Sequence, residues 1–478
     1  MRRIKLMWKH ILKRGPLSAV AARHRVVPPQ LFGVFSRDNW QLSTEEFRGF
    51  NNVAHFSSSK GTTKQVENAA NSTPTDIYHA GLLNTAFTQE INVSKESPII
   101  PIFRVLNTDG SLAAGWKCPF SKDELLETYK FMLRLALWDD MLYSIQRQGR
   151  ISFYIQNQGE EAVQTGIARA LSLEDTELGV LMWRGFTLED ALNQCYRQVN
   201  EIISHSIWLE INLRDPGKGR QMPISYSKKD INLLAISTPL TTQVPHAAGA
   251  GYAMKIKGSK SCAVTFFGEG AASEGDFHAA MNFASVLKSQ TLFVCRNNGY
   301  AISTPAADQY AGDGIAIRGL SYGMRTIRVD GNDLFAVYLA AKECREICIN
   351  NSEPVCLEMM TYRMGHHSTS DDSTHYRAKG EMEAWSREGV HPIARVRTFL
   401  VNSGWWLPSE DNEIKKEAKE TMLAAIKECE KVKKHRITSG LFDDVYAEPV
   451  WNIQVIENME NNANRIEQNS YLFSTGTV

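Results

Sequence analysis

Three short apolar runs, "SCAVTFF" before Gly268, "TLFVCRNN" before Gly299 and "PVCLEMMTY" from Pro354, constrain the fold of this chain more than any other feature. Each stands next to a Gly or Pro turn and alternates with a helical pattern, and a fourth run, "NLLAIST" before Pro239, has the same setting. Such alternation implies strands covered on both faces. The expected fold class is therefore α/β, a mostly parallel sheet with helices on both faces.

The flanking helices are readable in the same way. "SKDELLETYKFMLRLALWDDMLYSIQRQG" opens with a capping box, Ser121 with Glu124, and sets Leu125, Tyr129, Met132, Ala136 and Ile145 on one face before ending at Gly149. A last helix, roughly Glu410 to Lys434, carries Ile414, Ala418, Met422 and Ile426 under many charges and is expected to pack on the outside.

Charge and composition narrow the function. The 478 residues hold 53 basic and 53 acidic side chains, a balance that gives no sign of nucleic acid or a membrane surface as partner. No apolar stretch approaches the roughly 18 residues needed to span a bilayer. Eight scattered cysteines without a C-x-x-C pair read as core thiols in a reducing compartment. The balance hides an asymmetry: residues 1–37 hold Arg2, Arg3, Lys5, Lys9, Lys13, Arg14, Arg23, Arg25 and Arg37 and no acid, with Ile4, Met7, Trp8, Ile11 and Leu12 at helical spacing. Residues 1–50 thus read as a mitochondrial transit peptide and disordered N-terminus. Residues 51–95, rich in Ser, Thr and Asn at their start, read as a low-complexity linker. The main domain is placed at 96–446 and a C-terminal tail at 447–478.

The chemistry concentrates in "FFGEGAASEGDFHAAMNFASVLKSQTLFVCRNNGYAIS". Glu269 follows a strand and precedes a helix expected to begin near Ala271, at the sheet edge where open α/β folds bind ligands. Gly268 and Gly270 permit a tight turn and close backbone approach, and amides at the helix start favour an anion. The next strand ends at Arg296-Asn297-Asn298. One carboxylate, one amide oxygen and one guanidinium thus meet at one edge, a set suited to Mg²⁺ completing its octahedral shell with the oxygens of a bound diphosphate. An acid in a lone glycine turn is usually only a loop; the pairing of two strand ends gives this one its meaning. No G-x-x-x-x-G-K-[ST] loop and no G-x-G-x-x-G helix opening competes with it.

The glycine-acid-glycine to asparagine pattern resembles the thiamine diphosphate motif. With "GKGRQMP", "RVDGNDLFAVY" and "TYRMGHHSTSDDS", the chain from about Ile100 to Tyr446 is similar to the alpha subunits of mitochondrial branched-chain 2-oxo acid dehydrogenases. Pyruvate dehydrogenase alpha subunits are related to that family, but their glycine-rich loop typically continues with Ser-Met-His. The resemblance implies a thiamine diphosphate-binding fold and oxidative decarboxylation of the 2-oxo acids of Val, Leu and Ile, with the acyl group passed to the lipoyl arm of an acyltransferase core. It implies thiamine diphosphate, Mg²⁺ and K⁺ as cofactors. It also implies a beta subunit that completes the site in an alpha2-beta2 heterotetramer, a regulatory kinase and phosphatase, and a place in the mitochondrial matrix.

Residue by residue, the resemblance assigns Glu269, Asn298 and the carbonyl of Tyr300 to Mg²⁺, and Gly270, Ala271 and Arg296 to the surroundings of the diphosphate. In "ISTPLTTQ", Thr238 and Leu240 match cofactor contacts, and Ser237, Pro239, Thr242 and Gln243 match a potassium site. From the residues alone that stretch reads as a polar strand-to-helix turn. His367 matches a catalytic histidine beside the cofactor's reactive ring. Ser368 matches a regulatory phosphorylation site in a loop ordered by Arg363, Asp371 and Tyr376; without the resemblance the loop reads as merely hydrophilic. The adjacent His366 and His367 are not expected to bind metal together, since neighbouring side chains diverge and no third ligand lies at the right spacing. Ala378 stands where the family often carries a second serine.

Two departures remain. After "GIARALS" the family continues through a strand ending in Tyr-Arg-Glu that grips the diphosphate, whereas "LSLEDTELGVLMWRGF" passes directly on. About Arg197 to Pro216 a longer connection than usual leads to the glycine-rich loop. A non-catalytic assembly or regulatory paralogue that binds cofactor weakly is thus one alternative, and a pyruvate-type alpha subunit another.

Overall fold

A computed structural model describes residues 98–172, 185–196, 224–234 and 238–431 without interruption, and short stretches elsewhere up to residue 459. The basic leader, nearly all of the linker, Ser237, Arg184 and most of the 197–216 connection lie outside the described residues. The described residues from 98 onward belong to one compact unit, Lys95–Val478.

A five-stranded sheet forms the centre: β1 (Ile102–Phe103), β2 (Ala263–Gly268), β3 (Thr291–Asn297), β4 (Arg325–Asp330) and β5 (Val355–Met360), in the order β1-β4-β5-β3-β2. Every pairing is parallel. The chain steps from β2 to its neighbour β3, skips one place to β4, and returns to fill the gap with β5. All carboxyl ends therefore share one edge, and the register levels them: Gly268 lies beside Arg296, Asn297 beside Met360, and Met360 beside Asp330.

β2, β3 and β5 are largely apolar because both faces are covered. Side chains alternate across a strand, so Val264, Phe266, Leu292, Val294, Leu357 and Met359 enter one core. That core is shared with α1 (Lys122–Arg147), α2 (Glu161–Ala170) and later α6 (Leu334–Asn351). Phe267, Phe293, Cys295 and Cys356 face the other way, onto Val244 and Ala248 of α4 (Gln243–Lys257) and Phe277, Ala280, Met281 and Ala284 of α5 (Gly275–Leu287). The expected architecture is the observed one. A third core joins the end of α1 to α3 (Leu188–Cys195) and to α8 (Glu410–Glu430), and α7 (Pro392–Asn402) closes the first core.

Local signals hold at the helix ends. Ser121 and Glu124 form their reciprocal capping box, and Gly149 takes φ 77° just beyond α1. In α8 Ile414, Ala418, Met422 and Ile426 are buried under the charged face. All eight cysteines are thiols, and seven are buried. No helix among the described residues is long and apolar enough to cross a membrane.

Three expectations need correction. The run "NLLAIST" is no strand in its described part: Asn232 closes a 3₁₀ turn at φ 55°, Leu233 makes only an isolated bridge to Lys228, and Leu234 is exposed. The helix after Glu269 does not begin at Ala271; a single 3₁₀ turn, Ala271–Ser273, comes first, and extended Glu274 separates it from α5. One short turn has no helix dipole to offer an anion, so that support for the site is withdrawn. The last helix ends at Glu430 rather than near Lys434.

Candidate functional site

Glu269 follows β2 directly and is 1% exposed. Its Oε2 accepts the backbone N–H of Asn298 at 3.3 Å, while Oε1 is buried with no partner. Burial raises its carboxyl pKa; the nearby Glu160 charge adds to the rise and Arg363 opposes it. An unpaired buried carboxylate is expensive, so this group is neutralised either by a proton or by a cation beside it.

Asn298 lies one residue past β3. Its Oδ1 accepts the N–H of Tyr300 at 3.2 Å, and its Nδ2 donates to Glu160 Oε1 at 2.8 Å. Arg296, the penultimate residue of β3, donates from Nη1 to Glu160 Oε2 at 2.7 Å, and its Nε is buried without a partner. The structure thus joins Glu269, Arg296 and Asn298 as expected and adds Glu160, which sequence reasoning missed. The only available signal was the acid pair in "QGEEAVQTG", and acids are ordinary at the first turn of a helix.

Close approach explains the glycine. A Cβ on Gly270 would stand 2.6 Å from that of Ala301, so no larger residue fits there. Gln309 Nε2 donates to the Gly270 carbonyl at 3.0 Å, and Ala271 follows in the 3₁₀ turn. Tyr300 and Ala301 pair with Thr304 and Pro305 in a two-residue antiparallel ribbon beside the site. The Tyr300 hydroxyl donates to Glu381 at 2.9 Å.

The turn before α4 reaches the same strand from the other side. Gln243 Nε2 donates to the Phe266 carbonyl of β2 at 3.3 Å, and Thr242 Oγ1 to the Pro239 carbonyl at 3.1 Å. Thr241 is buried at φ 63°, a conformation costly outside glycine. Thr238, Pro239 and Leu240 are exposed, Leu240 by 64%.

The loop after β5 closes over the edge. Arg363 Nη2 donates to the Ile302 carbonyl at 3.0 Å and to the Tyr376 hydroxyl at 3.1 Å, and that hydroxyl donates to Asp371 Oδ2 at 2.7 Å. Asp371 also accepts the His367 N–H at 2.8 Å. His367 is half-buried, its Nδ1 lies 3.4 Å from Arg363 Nη1, and its pKa is lowered by burial first and then by Arg363, with Asp371 opposing. The imidazole is therefore neutral at neutral pH. His366 turns away to Ser373, its Nδ1 3.0 Å from the Ser373 hydroxyl, so the two histidines diverge as expected. Ser368 is only 7% exposed; its hydroxyl accepts the Ser370 N–H at 3.2 Å, and neighbouring Thr369 is tied to Tyr154. Among the described residues no cluster of three or more His, Cys, Asp or Glu could hold a metal. The Glu269–Asn298 pair offers only one carboxylate and one amide, so any cation there would need a ligand's oxygens to complete its shell.

A model of the family described as Dehydrogenase E1 component matches residues 129–438. The chain is 47% identical over 378 residues to 2-oxoisovalerate dehydrogenase subunit alpha, mitochondrial, of Dictyostelium discoideum, an alignment covering 77% of this chain and 82% of that protein. The protein of the same name from Caenorhabditis elegans is 47% identical over 380 residues, covering 77% and 84%. That of Mus musculus is 46% identical over 356 residues, covering 73% and 77%.

Proposed function

Because the chain belongs to the dehydrogenase E1 component family, we propose that it is the alpha subunit of a branched-chain 2-oxo acid dehydrogenase, acting on the 2-oxo acids of Val, Leu and Ile. The family depends on thiamine diphosphate, and relatives named as 2-oxoisovalerate dehydrogenase alpha subunits favour the branched-chain assignment over a pyruvate-type one. The observation that carries the proposal is the buried, unpartnered Glu269 Oε1 beside Asn298 and the unpartnered Nε of Arg296.

Bound thiamine diphosphate supplies a nucleophilic ring carbon and an electron sink for loss of carbon dioxide from a 2-oxo acid. The residues of this chain would hold part of that group. Glu269, Asn298 and the Tyr300 carbonyl would hold Mg²⁺, and Arg296, Gly270, Ala271, Thr238 and Leu240 would surround the cofactor. Ser237, Pro239, Thr242 and Gln243 would hold K⁺, which would fix the turn that Gln243 ties to β2. His367, with Nδ1 accepting from the Arg363 guanidinium, would present its Nε2–H as a hydrogen-bond donor beside the reacting group. Phosphorylation of Ser368 would place about −1.5 to −2 charges next to His367, against an anionic substrate.

"Subunit alpha" in the relatives' names supports a beta subunit partner. The lipoyl-bearing acyltransferase core, the kinase and phosphatase, the matrix location and the leader at 1–50 complete the proposal. A weakly binding, non-catalytic paralogue stays in view because of one observation, the missing Tyr-Arg-Glu segment after Leu171. The test is coexpression with a matching beta subunit, with bound thiamine diphosphate titrated with and without Mg²⁺ and turnover compared between 3-methyl-2-oxobutanoate and pyruvate. Mg²⁺-dependent binding and preference for the branched substrate are expected. Binding without turnover would favour the paralogue, and faster turnover of pyruvate would reverse the substrate assignment.

A further inference from the structure

Glu160 comes from far away in sequence to touch both Arg296 of β3 and Asn298 just past its end. It sits at the entry to α2 and is 3% exposed, so its carboxylate has almost no water to lean on. Both oxygens are engaged: Oε2 takes Arg296 Nη1 at 2.7 Å and Oε1 takes Asn298 Nδ2 at 2.8 Å. The segment that carries it is fixed from above. Gly159 takes φ 95°, and a Cβ there would lie 2.4 Å from the Tyr362 carbonyl; the Gln158 carbonyl accepts the Met364 N–H at 2.8 Å. Glu160 therefore cannot drift away from the edge without displacing the loop after β5.

Two consequences follow for the groups it holds. An asparagine amide can present either its oxygen or its nitrogen in a given direction, and the two differ little in shape. A carboxylate beside Nδ2 decides the matter, because turning the amide would set two oxygens against each other. The carbonyl oxygen of Asn298 is thereby kept on the side away from Glu160, where it accepts the Tyr300 N–H and keeps a second lone pair for a cation. Arg296 is held at one end only: Nη1 is committed, while Nε stays buried and without a partner. A guanidinium has five N–H groups in a fixed fork, so anchoring one nitrogen aims the remainder.

We propose that Glu160 is a positioning residue for the metal-diphosphate site, setting the Asn298 amide and aiming the Arg296 fork without touching the cofactor itself. The inference rests on the proposed thiamine diphosphate site and goes beyond it, since the expected set of site residues does not include Glu160.

The experiment uses the assembled alpha–beta complex and reads Mg²⁺ and thiamine diphosphate affinity by calorimetric titration, not turnover. Glu160→Gln keeps the size but offers one acceptor and one donor, so Asn298 can turn and Arg296 loses its charged anchor. Affinity for Mg²⁺ at saturating thiamine diphosphate should fall ~10-fold or more, while thermal unfolding of the cofactor-free complex shifts little. In an Asn298→Ala background the same substitution should weaken Mg²⁺ binding much less, since the two act as one unit. Should the Gln variant not assemble, Glu160→Asp, which retains the charge and shortens its reach, is read in the same way, with weakened Mg²⁺ affinity expected. Wild-type affinity in an assembled Glu160 variant overturns the proposal, as does an equal loss in both backgrounds. A wild-type complex that fails to bind thiamine diphosphate would instead defeat the site reading on which the proposal stands.

Discussion

Glu358 is 0% exposed in the middle of β5, yet its carboxylate has four donors: Asn297 Nδ2 at 2.8 Å, the N–H groups of Ile315 and Ala316 at 2.7 and 2.9 Å, and Arg328 Nε at 2.9 Å. Arg328, on the neighbouring β4, also meets Asp313 at 2.9 Å. Arg328 is one of the residues that hid β4 from sequence inspection. "RTIRVD" lacks a continuous apolar run because Arg325, Thr326, Arg328 and Asp330 interrupt it, whereas the single charge in β5 leaves apolar residues on both sides. Glu269 and Asn298, by contrast, were legible because glycine turns mark both strand ends. Removing one member of a buried pair leaves the other uncompensated, so Glu358→Ala should destabilise the folded chain by about 3–5 kcal/mol, seen as a large drop in unfolding midpoint. A midpoint within a degree of the parent would show that the network contributes nothing. A second residue titrates near neutrality: Asp139, buried and accepting from the Tyr154 hydroxyl at 2.9 Å, has its pKa pushed up to about 7, chiefly by burial. Its folded pKa exceeds the unfolded value, so the folded state binds the extra proton and stability falls as pH rises from about 4 to 7, by up to about 1.4 kcal/mol per pH unit. Asp139→Asn removes this slope. Variant minus parent stability should climb across that window and level off above it, and a flat difference would rule the titration out.

At the scale of elements, the loop after β5 is stitched by side chains rather than by regular structure. Asp371 holds the His367 N–H and the Tyr376 hydroxyl, and Tyr376 in turn accepts from Arg363, so one carboxylate orders both ends of the loop. The short helix Lys379–Trp385 then latches the loop down, through Glu381 on Tyr300 and through Trp385 stacked on Tyr362 with ring centroids 5.0 Å apart. Ser368 in the same loop is only 7% exposed, so its proposed phosphorylation would require the loop to open. Tyr300→Phe removes one half of the latch. Backbone amides of residues 363–377 should then exchange hydrogen faster while those of β5 keep their protection, and unchanged exchange in the loop would show that Glu381 is no latch. Sequence inspection found α1 by its capping box and apolar periodicity and α8 by periodicity alone, and failed where neither operates. "NLLAIST" has the apolarity of a strand, but Asn232 in the left-handed region and an exposed Leu234 keep its described start out of the sheet.

For the whole molecule the question is whether the edge holds enough positive charge for a diphosphate. Related chains are expected to grip it with a Tyr and an Arg from a strand ending in Tyr-Arg-Glu, and this sequence passes from Leu171 to Leu188 without one. Two guanidiniums of the described site region are already committed in part: Arg296 to Glu160, and Arg363 to the Ile302 carbonyl and the Tyr376 hydroxyl. Arg296 retains donors for one phosphate, but it cannot stand in two places. Each charge-assisted hydrogen bond lost is worth roughly 1.5–3 kcal/mol, so two lost together weaken binding by on the order of a hundredfold or more. The assembled complex of this chain with its beta partner should therefore hold thiamine diphosphate weakly, and inserting a strand ending in Tyr-Arg-Glu before Leu178 should restore tight binding without altering Mg²⁺ dependence. Titration of both complexes side by side checks this. Tight binding by the unmodified chain would mean that donors from elsewhere in the assembly replace the missing pair, and the case for a weakly binding paralogue would fall with it.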